Sequence, residues 1–431
     1  MSVSIVSGLL DFLSASPTPF QATQNLANMA LAAGFVGLDE KLEWDLQPGG
    51  KYFYSRSDSA FVAFTIGEAG AGSGFRVLGT HSDSPCLKVK PSPELNQKGY
   101  SRLGVEIYGG VLLNTWFDRD LSLAGKVSGL DAKGQLCTAI VDFKKAIASV
   151  PSLAIHLDRS ANINKTINPH KELNVLLSTG RCESFRDLVQ NQLKKEDPET
   201  SIEKILDYNL SFYDTQPASL VGLNDEFIAS ARLDNLLSTY IAAKNVFDSS
   251  SAQNTIFISN DHEEVGSCSE SGAQGTMLSD LIERIIPVPE MRQRALRCSL
   301  LVSIDNAHAL HPNYPEKHDD NHGPMLTAGP VIKFNANQSY ATSSDTSAVL
   351  HWLAQQFEPK LPLQSFSIRA DMSCGSTIGP LTASNLGIKT VDLGVPQFAM
   401  HSIRELAAVG DVKTLYSLNE RFLNAEKVVL D

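Results

Sequence analysis

The chain has 431 residues, 42% hydrophobic and 19% charged, with 48 acidic against 36 basic side chains and a net charge of −12. That length predicts two domains, or one large domain with a sizeable insertion, and the composition is that of a folded globular protein. The acidic balance excludes a phosphate-binding face for nucleic acid, and an acidic substrate would need cations placed locally to receive it.

No Lys or Arg precedes Lys41, so neither a secretory signal nor a transit peptide is expected. No apolar run reaches the roughly 18 residues of a membrane span. The six cysteines are scattered without a Cys-x-x-Cys pair and predict reduced thiols. The expectation is a cytoplasmic protein with no membrane or nucleic-acid partner.

Two helices are predicted first, over 2–12 and 22–33; the second places Leu26, Met29, Ala30 and Ala33 on one face and stops at Gly34. Strand-like runs follow at 61–66 and 75–78, and the second leads into Gly79-Thr80-His81-Ser82-Asp83-Ser84-Pro85. From Ser92 the texture changes. Residues 102–113, 121–127 and 136–143 read as strands, and 188–199 as a solvated helix and loop. They predict an inserted β-rich domain over 92–229, within a discontinuous domain formed by 1–91 and 230–431.

From Ser230 an α/β alternation resumes. A helix opens at Arg232-Leu233-Asp234-Asn235, with Leu236, Leu237, Tyr240, Ala243 and Phe247 at helical spacing. Strands are expected at 254–258, 298–304, 330–334, 364–368 and 389–393. Ser344 and Asp345 read as the cap of a helix, and a last helix is expected over 411–430.

Candidate ligands fall at the ends of these strands: His81 and Asp83 after one, Glu263 and Glu264 after another, Asp305 after a third, His401 beyond a fourth. Asp234 starts a helix. In an open α/β sheet the carboxyl ends of strands collect ligands. Taken alone, each has a plain reading: a buried histidine, a turn cap, or an acid at a helix start. Together they match a dinuclear centre, which needs about five side chains with one carboxylate bridging. His81, Asp234, Glu264, Asp305 and His401 make that set, and the neighbouring Glu263 is left as a base. Imidazole and carboxylate suit zinc, with manganese or cobalt as alternatives. Asp83 is spaced to accept from the other ring nitrogen of His81.

The chain resembles the aspartyl aminopeptidases nearly from end to end. The resemblance is carried by the segment around His81, by Trp116-Phe117-Asp118-Arg119-Asp120-Leu121, Arg232-Leu233-Asp234-Asn235 and Asp261-His262-Glu263-Glu264-Val265-Gly266-Ser267. Further on it rests on Asp305-Asn306-Ala307-His308-Ala309, His311-Pro312-Asn313-Tyr314, Gly329-Pro330-Val331-Ile332-Lys333, Cys374-Gly375-Ser376-Thr377-Ile378-Gly379-Pro380 and Ala399-Met400-His401-Ser402.

It implies a mixed-sheet α/β/α peptidase domain with two divalent metals, and an inserted β-rich dimerisation domain. Asp234 would bridge the metals. His81 with either Asp305 or Glu264 would hold one, and the remaining carboxylate with His401 the other. Glu263 would be the general base, with Asp83 beside it. His156, in the apolar run Leu153-Ala154-Ile155-His156-Leu157 that reads as a strand, would complete a neighbouring subunit's site. Lys333 would meet the acidic side chain of the substrate, with Tyr340, Gly375 and Ser376 shaping its pocket, although that glycine loop could equally be a tight turn.

The implied activity is removal of N-terminal Asp or Glu from peptides. The implied assembly is dimers built into a tetrahedral dodecamer. A broad aminopeptidase or an N-acyl amino-acid deacylase on the same scaffold is the alternative, and a non-catalytic metal-binding scaffold is the alternative of another class.

Overall fold

Four apolar segments, Phe75–His81, Asn254–Asn260, Leu300–Ile304 and Lys389–Gly394, form the parallel centre of a nine-stranded mixed sheet. The order across the sheet is 254–260, 75–81, 300–304, 389–394. Every residue of the first three strands in that order is buried, because helices cover both faces, and this is why they read as unbroken apolar runs. Ala60–Thr65, Lys51–Arg56 and Val36–Gly37 extend the sheet on one side, and Val331–Phe334 and Gln364–Ser367 on the other. This is a computed structural model, and it describes residues 2–68, 70–181, 184–198, 200–250 and 252–429.

Side chains alternate between the two faces of the sheet. Phe61, Ala63, Leu78, Phe257 and Val302 pack against the helices Ser2–Ala15, Pro19–Ala32, Leu233–Asp248, Ser344–Ala354 and Val409–Leu423. Val62, Phe64, Val77, Ile256 and Leu301 pack against Met277–Ile285 and Pro289–Arg297. The result is the expected α/β/α layering. A smaller five-stranded sheet, of Ser219–Val221, Phe227–Ser230, Glu405–Ala408, Pro396–Phe398 and Ala307–His308, belongs to the same unit.

The second unit comprises Ser84–Pro217 and His401–Arg404. Its six strands, Leu136–Asp142, Leu121–Leu130, Lys204–Asp214, Cys86–Gln97, Tyr100–Tyr108 and Val175–Thr179, pair antiparallel in that order. Leu87, Val89, Leu103, Leu123, Val127 and Phe212 meet Phe185, Val189 and Leu193 of the helix Phe185–Glu196. Its ends fall elsewhere than the 92–229 read from texture. The strand starting at Cys86 is already part of this sheet, whereas Ser219–Val221 pairs with Phe227–Ser230 in the first unit.

Several local readings change. The cap of the helix Ser344–Ala354 is Ser343, whose side chain accepts from Thr346 N–H in a reciprocal capping box. The last helix runs Val409–Leu423 and stops short of the expected end. The residues around His156 form no strand. Ile155–Leu157 is a turn with no ladder partner, and Leu153, Ile155 and Leu157 are exposed. The five described cysteines are free thiols, and Cys182 lies outside the described residues. Among the described residues no helix is long and apolar enough to cross a membrane.

Candidate metal centre

Parallel pairing brings the carboxyl ends of the central strands to one edge. His81 is paired with Asn260, and Ser303 with Gly79, so the residues that follow each strand emerge together. His81 ends its strand and is 1% exposed. Its Nε2 lies 3.4 Å from Asp234 Oδ1, 3.7 Å from Asp305 Oδ1 and 4.0 Å from Glu263 Oε2. One ligand atom from each of His81, Asp234 and Asp305 fits within 4.8 Å of the others, and so does one from each of His81, Glu263 and Glu264.

Polar side chains on the buried helix Leu233–Asp248 stitch its start to those strand ends. Asn235 Nδ2 donates to Ile304 O at 2.8 Å, and Thr239 Oγ1 donates to His81 O at 2.8 Å. Ser238 Oγ donates to Asn306 Oδ1, and Asn306 Nδ2 returns to Leu233 O. The Asp234 N–H donates to Glu405 Oε2 at 3.0 Å. Asn235, Ser238, Thr239, Asn306 and Glu405 received no role from the sequence. For Asn235, Ser238 and Thr239 the signal was polar residues at helical spacing on an otherwise apolar face; Asn306 and Glu405, at a strand end and in a strand, carried none.

Asp83 contacts both His81 and the glutamate turn. Its backbone carbonyl accepts from His81 Nδ1 at 3.1 Å, and its carboxylate lies 3.4 Å from the same nitrogen. The carboxylate also accepts the N–H groups of Glu263 and Glu264, each at 3.1 Å. It thereby fixes the short turn Glu263–Val265 that carries both glutamates. His262, left-handed at φ 63°, precedes them, and its Nδ1 lies 2.9 Å from Ser269 Oγ, so it holds the loop.

The electrostatics follow from crowding acids around one imidazole. Burial alone would depress His81. Hydrogen bonds with Asp234, Asp305 and Asp83, and the charge of Glu263, hold its pKa well above the ordinary histidine range. Glu263 is pushed up to about 8, first by burial, with Asp305, Glu264 and Asp83 adding to it against the opposing pull of His81. Such a concentration of carboxylates calls for a cation. The donor set of one imidazole nitrogen and several carboxylate oxygens fits a divalent metal of the zinc, manganese or cobalt kind.

Lys333 is buried, 3% exposed, with its ammonium 3.3 Å from Asp305 Oδ2 and 5.4 Å from the centroid of the Tyr340 ring. Burial first, and then a hydrogen bond with Cys374, push the Tyr340 hydroxyl up. Gly375 and Ser376 are exposed. Open space surrounds the place of a Gly375 β-carbon, so glycine is not required there. Gly379 is the position where a β-carbon would collide, with the Asp392 carboxylate.

In the second unit His401 is left-handed at φ 67°, with Nδ1 3.1 Å from Gly110 O. His156 is exposed. The segment carrying it is anchored by the 116–121 motif: Asp118 Oδ1 accepts Ser152 N–H at 2.8 Å, and Lys165 covers the Phe117 ring. His308 and His311 lie against aromatic rings, Phe366 and Phe398 respectively.

The family model for aminopeptidase I zinc metalloproteases (M18) matches residues 12–423. The chain belongs to the M18 aminopeptidase family. A probable M18 family aminopeptidase 2 of Ectopseudomonas mendocina is 50% identical over 432 residues, covering 99% of this chain and 100% of that one. The protein of the same description from Pseudomonas aeruginosa UCBPP-PA14 is 52% identical, over 96% of this chain and 97% of that one.

Among solved structures, Ape4 in its complex with Nbr1 superposes with a TM-score of 0.94 at 38% identity, over 98% of this chain and 86% of that one. The dodecameric mApe1 of S. cerevisiae gives 0.83 at 26% identity, over 98% and 97%. An M18 aminopeptidase of Thermotoga maritima, at 19% identity and a TM-score of 0.84, shares the fold. This M18 aminopeptidase is therefore a metalloprotease hydrolase, which sets aside the non-catalytic scaffold.

Proposed function

We propose that this M18 aminopeptidase removes an acidic first residue from peptides, with Glu263 as general base. Two divalent metal ions, zinc in the family's description, would be held by His81, Asp234, Asp305, Glu264 and His401, with Asp234 shared. When bound, the ions supply Lewis acidity toward the scissile carbonyl and acidify water at the site. Glu263 does the proton work: its carboxylate takes a proton from the attacking water and returns it to the departing amine. The Asp83 carboxylate keeps the base in place through the two backbone N–H groups it accepts.

The observation that carries the specificity is Lys333, a buried ammonium beside the acid cluster. Once metal charge stands next to Asp305, that carboxylate no longer neutralises the ammonium fully. Its field is then available to an Asp or Glu side chain in a low-dielectric pocket. Tyr340 packs under the ammonium, and Gly375 and Ser376 offer the outer wall.

His156, exposed on its anchored segment, would reach a neighbouring copy's site and donate to the developing oxyanion. The exposed Leu153, Ile155 and Leu157 around it suit burial in a dimer. By analogy with the dodecameric mApe1, dimers would assemble into a dodecamer in the cytoplasm.

The test is a panel of aspartyl, glutamyl, alanyl and N-acetyl-aspartyl substrates with metal-stripped and reloaded protein, for wild type and Lys333→Ala. We expect hydrolysis only with a free amine and metal, and an Asp-over-Ala preference that falls at least about tenfold in the variant. An unchanged preference sinks the acidic reading, and cleavage of the acetylated substrate would favour the deacylase.

A further inference from the structure

Asp392 lies in the strand Lys389–Gly394 with no solvent exposure. Its two carboxylate oxygens serve two separate segments. Oδ1 accepts the Thr377 hydroxyl at 2.6 Å, and Oδ2 accepts the Ala341 N–H at 2.6 Å. The Asp392 N–H donates to Thr342 Oγ1 at 3.0 Å. Gly379 packs so closely on the carboxylate that a β-carbon there would collide with it. One buried acid therefore ties residues 340–342 to residues 377–379.

The first of those segments and Asp392 itself border Lys333. The Tyr340 ring lies under its ammonium, and the Tyr340 hydroxyl is hydrogen-bonded with Cys374, three residues before the second segment. A buried carboxylate costs stability unless its oxygens are bonded, and it is kept where its bonds fix something. Burial pushes this carboxyl up, while the bonds from Thr377 and Ala341 and the charge of Lys333 pull it back toward ionisation. Proton transfer at Glu263 has no use for it.

We infer that Asp392 is a positioning residue for specificity: it clamps the Tyr340 and Thr377 segments together so that Lys333 stays aimed at the first side chain of the peptide. This rests on the reading of Lys333 as the cation that meets an acidic substrate. The clamp acts through hydrogen bonds from both segments, so removing a donor should damage it as removing the acid does.

The experiment measures kcat and KM for aspartyl and alanyl p-nitroanilides with the metal-loaded enzyme. Thr377→Val deletes the hydroxyl and leaves all charges in place. Asp392→Asn keeps the shape but removes the charge and one acceptor, so the Thr377 hydroxyl can bond the new NH2 only by turning to accept. Thr377→Ser restores the bond. We expect the Asp-over-Ala ratio of kcat/KM to fall about tenfold in Thr377→Val and Asp392→Asn, mainly through the aspartyl KM, and to recover in Thr377→Ser. A ratio that holds while both substrates slow equally, or while only the melting temperature drops, overturns the inference. Should Asp392→Asn not fold, the Thr377 pair decides alone. Lys333→Ala, run in parallel, separates the two levels. If it leaves the ratio intact, the acidic reading fails and takes this inference with it. If it collapses the ratio and Thr377→Val does not, only the clamp is wrong.

Discussion

The parallel sheet of the first unit and the antiparallel sheet of the second treat their strand ends in opposite ways. In the parallel sheet every central strand delivers its carboxyl end to one edge, so His81, the turn after Asn260 and Asp305 arrive together. In the antiparallel sheet successive ends alternate between edges, and side chains alternate between core and solvent. The first arrangement concentrates chemistry. The second leaves surface: of its unit's two proposed site residues, His156 lies on an exposed turn beyond the sheet and His401 in the short segment His401–Arg404. A sheet's direction thus decides where reactive groups can gather, before any particular residue is chosen.

The sharpest way to break this contrast is Glu263→Gln. If the proton work belongs to the parallel edge, kcat falls by about a thousandfold while metal content, read by elemental analysis, stays at the wild-type level. Near-normal turnover would remove the base from the first unit altogether. A smaller effect tests the second unit. His156→Ala should lower kcat by about a hundredfold with little change in KM, the loss characteristic of an oxyanion donor. If it changes nothing, His156 has no part in the chemistry.

The smallest effect concerns protons at the parallel edge. Without metal, the folded chain holds protons on His81, whose pKa is raised, and on Glu263, raised to about 8, that the unfolded chain releases at lower pH. More protons are bound in the folded state, so metal-free stability is greatest on the acid side of neutrality and falls as pH rises toward about 8. Metals replace those protons when they bind. Thermal melts of chelator-treated protein should therefore drop by several degrees between roughly pH 6 and pH 8, and metal-loaded protein should drop less. Equal slopes would mean that these groups do not carry the linkage.

Legibility differed between the units for the same reason. Fully buried strands of the first unit stand out as apolar runs, and the polar residues just after them could be read as a cluster from sequence. The half-buried strands Cys86–Gln97 and Lys204–Asp214 escaped detection because their burial is partial and irregular. His156 was misread as part of a strand, since Leu153, Ile155 and Leu157 alternate with it although none is buried in a sheet. Asp83 could be placed near the His81 ring nitrogen from its spacing, but not its bonds to the backbone of a turn that lies far along the chain.

By itself the sequence determined the layered α/β class, the residue types of the candidate metal site and their placement after strands, because local burial and turn chemistry are written in short runs of residues. Only the folded chain decided that Lys333 faces Asp305, that Asn235, Thr239 and Asn306 lace a helix to the ligand edge, and that Asp392 joins the 340 and 377 segments. Those pairings depend on strand order and register. Strand order is set by how whole elements stack, and no local stretch of residues encodes it.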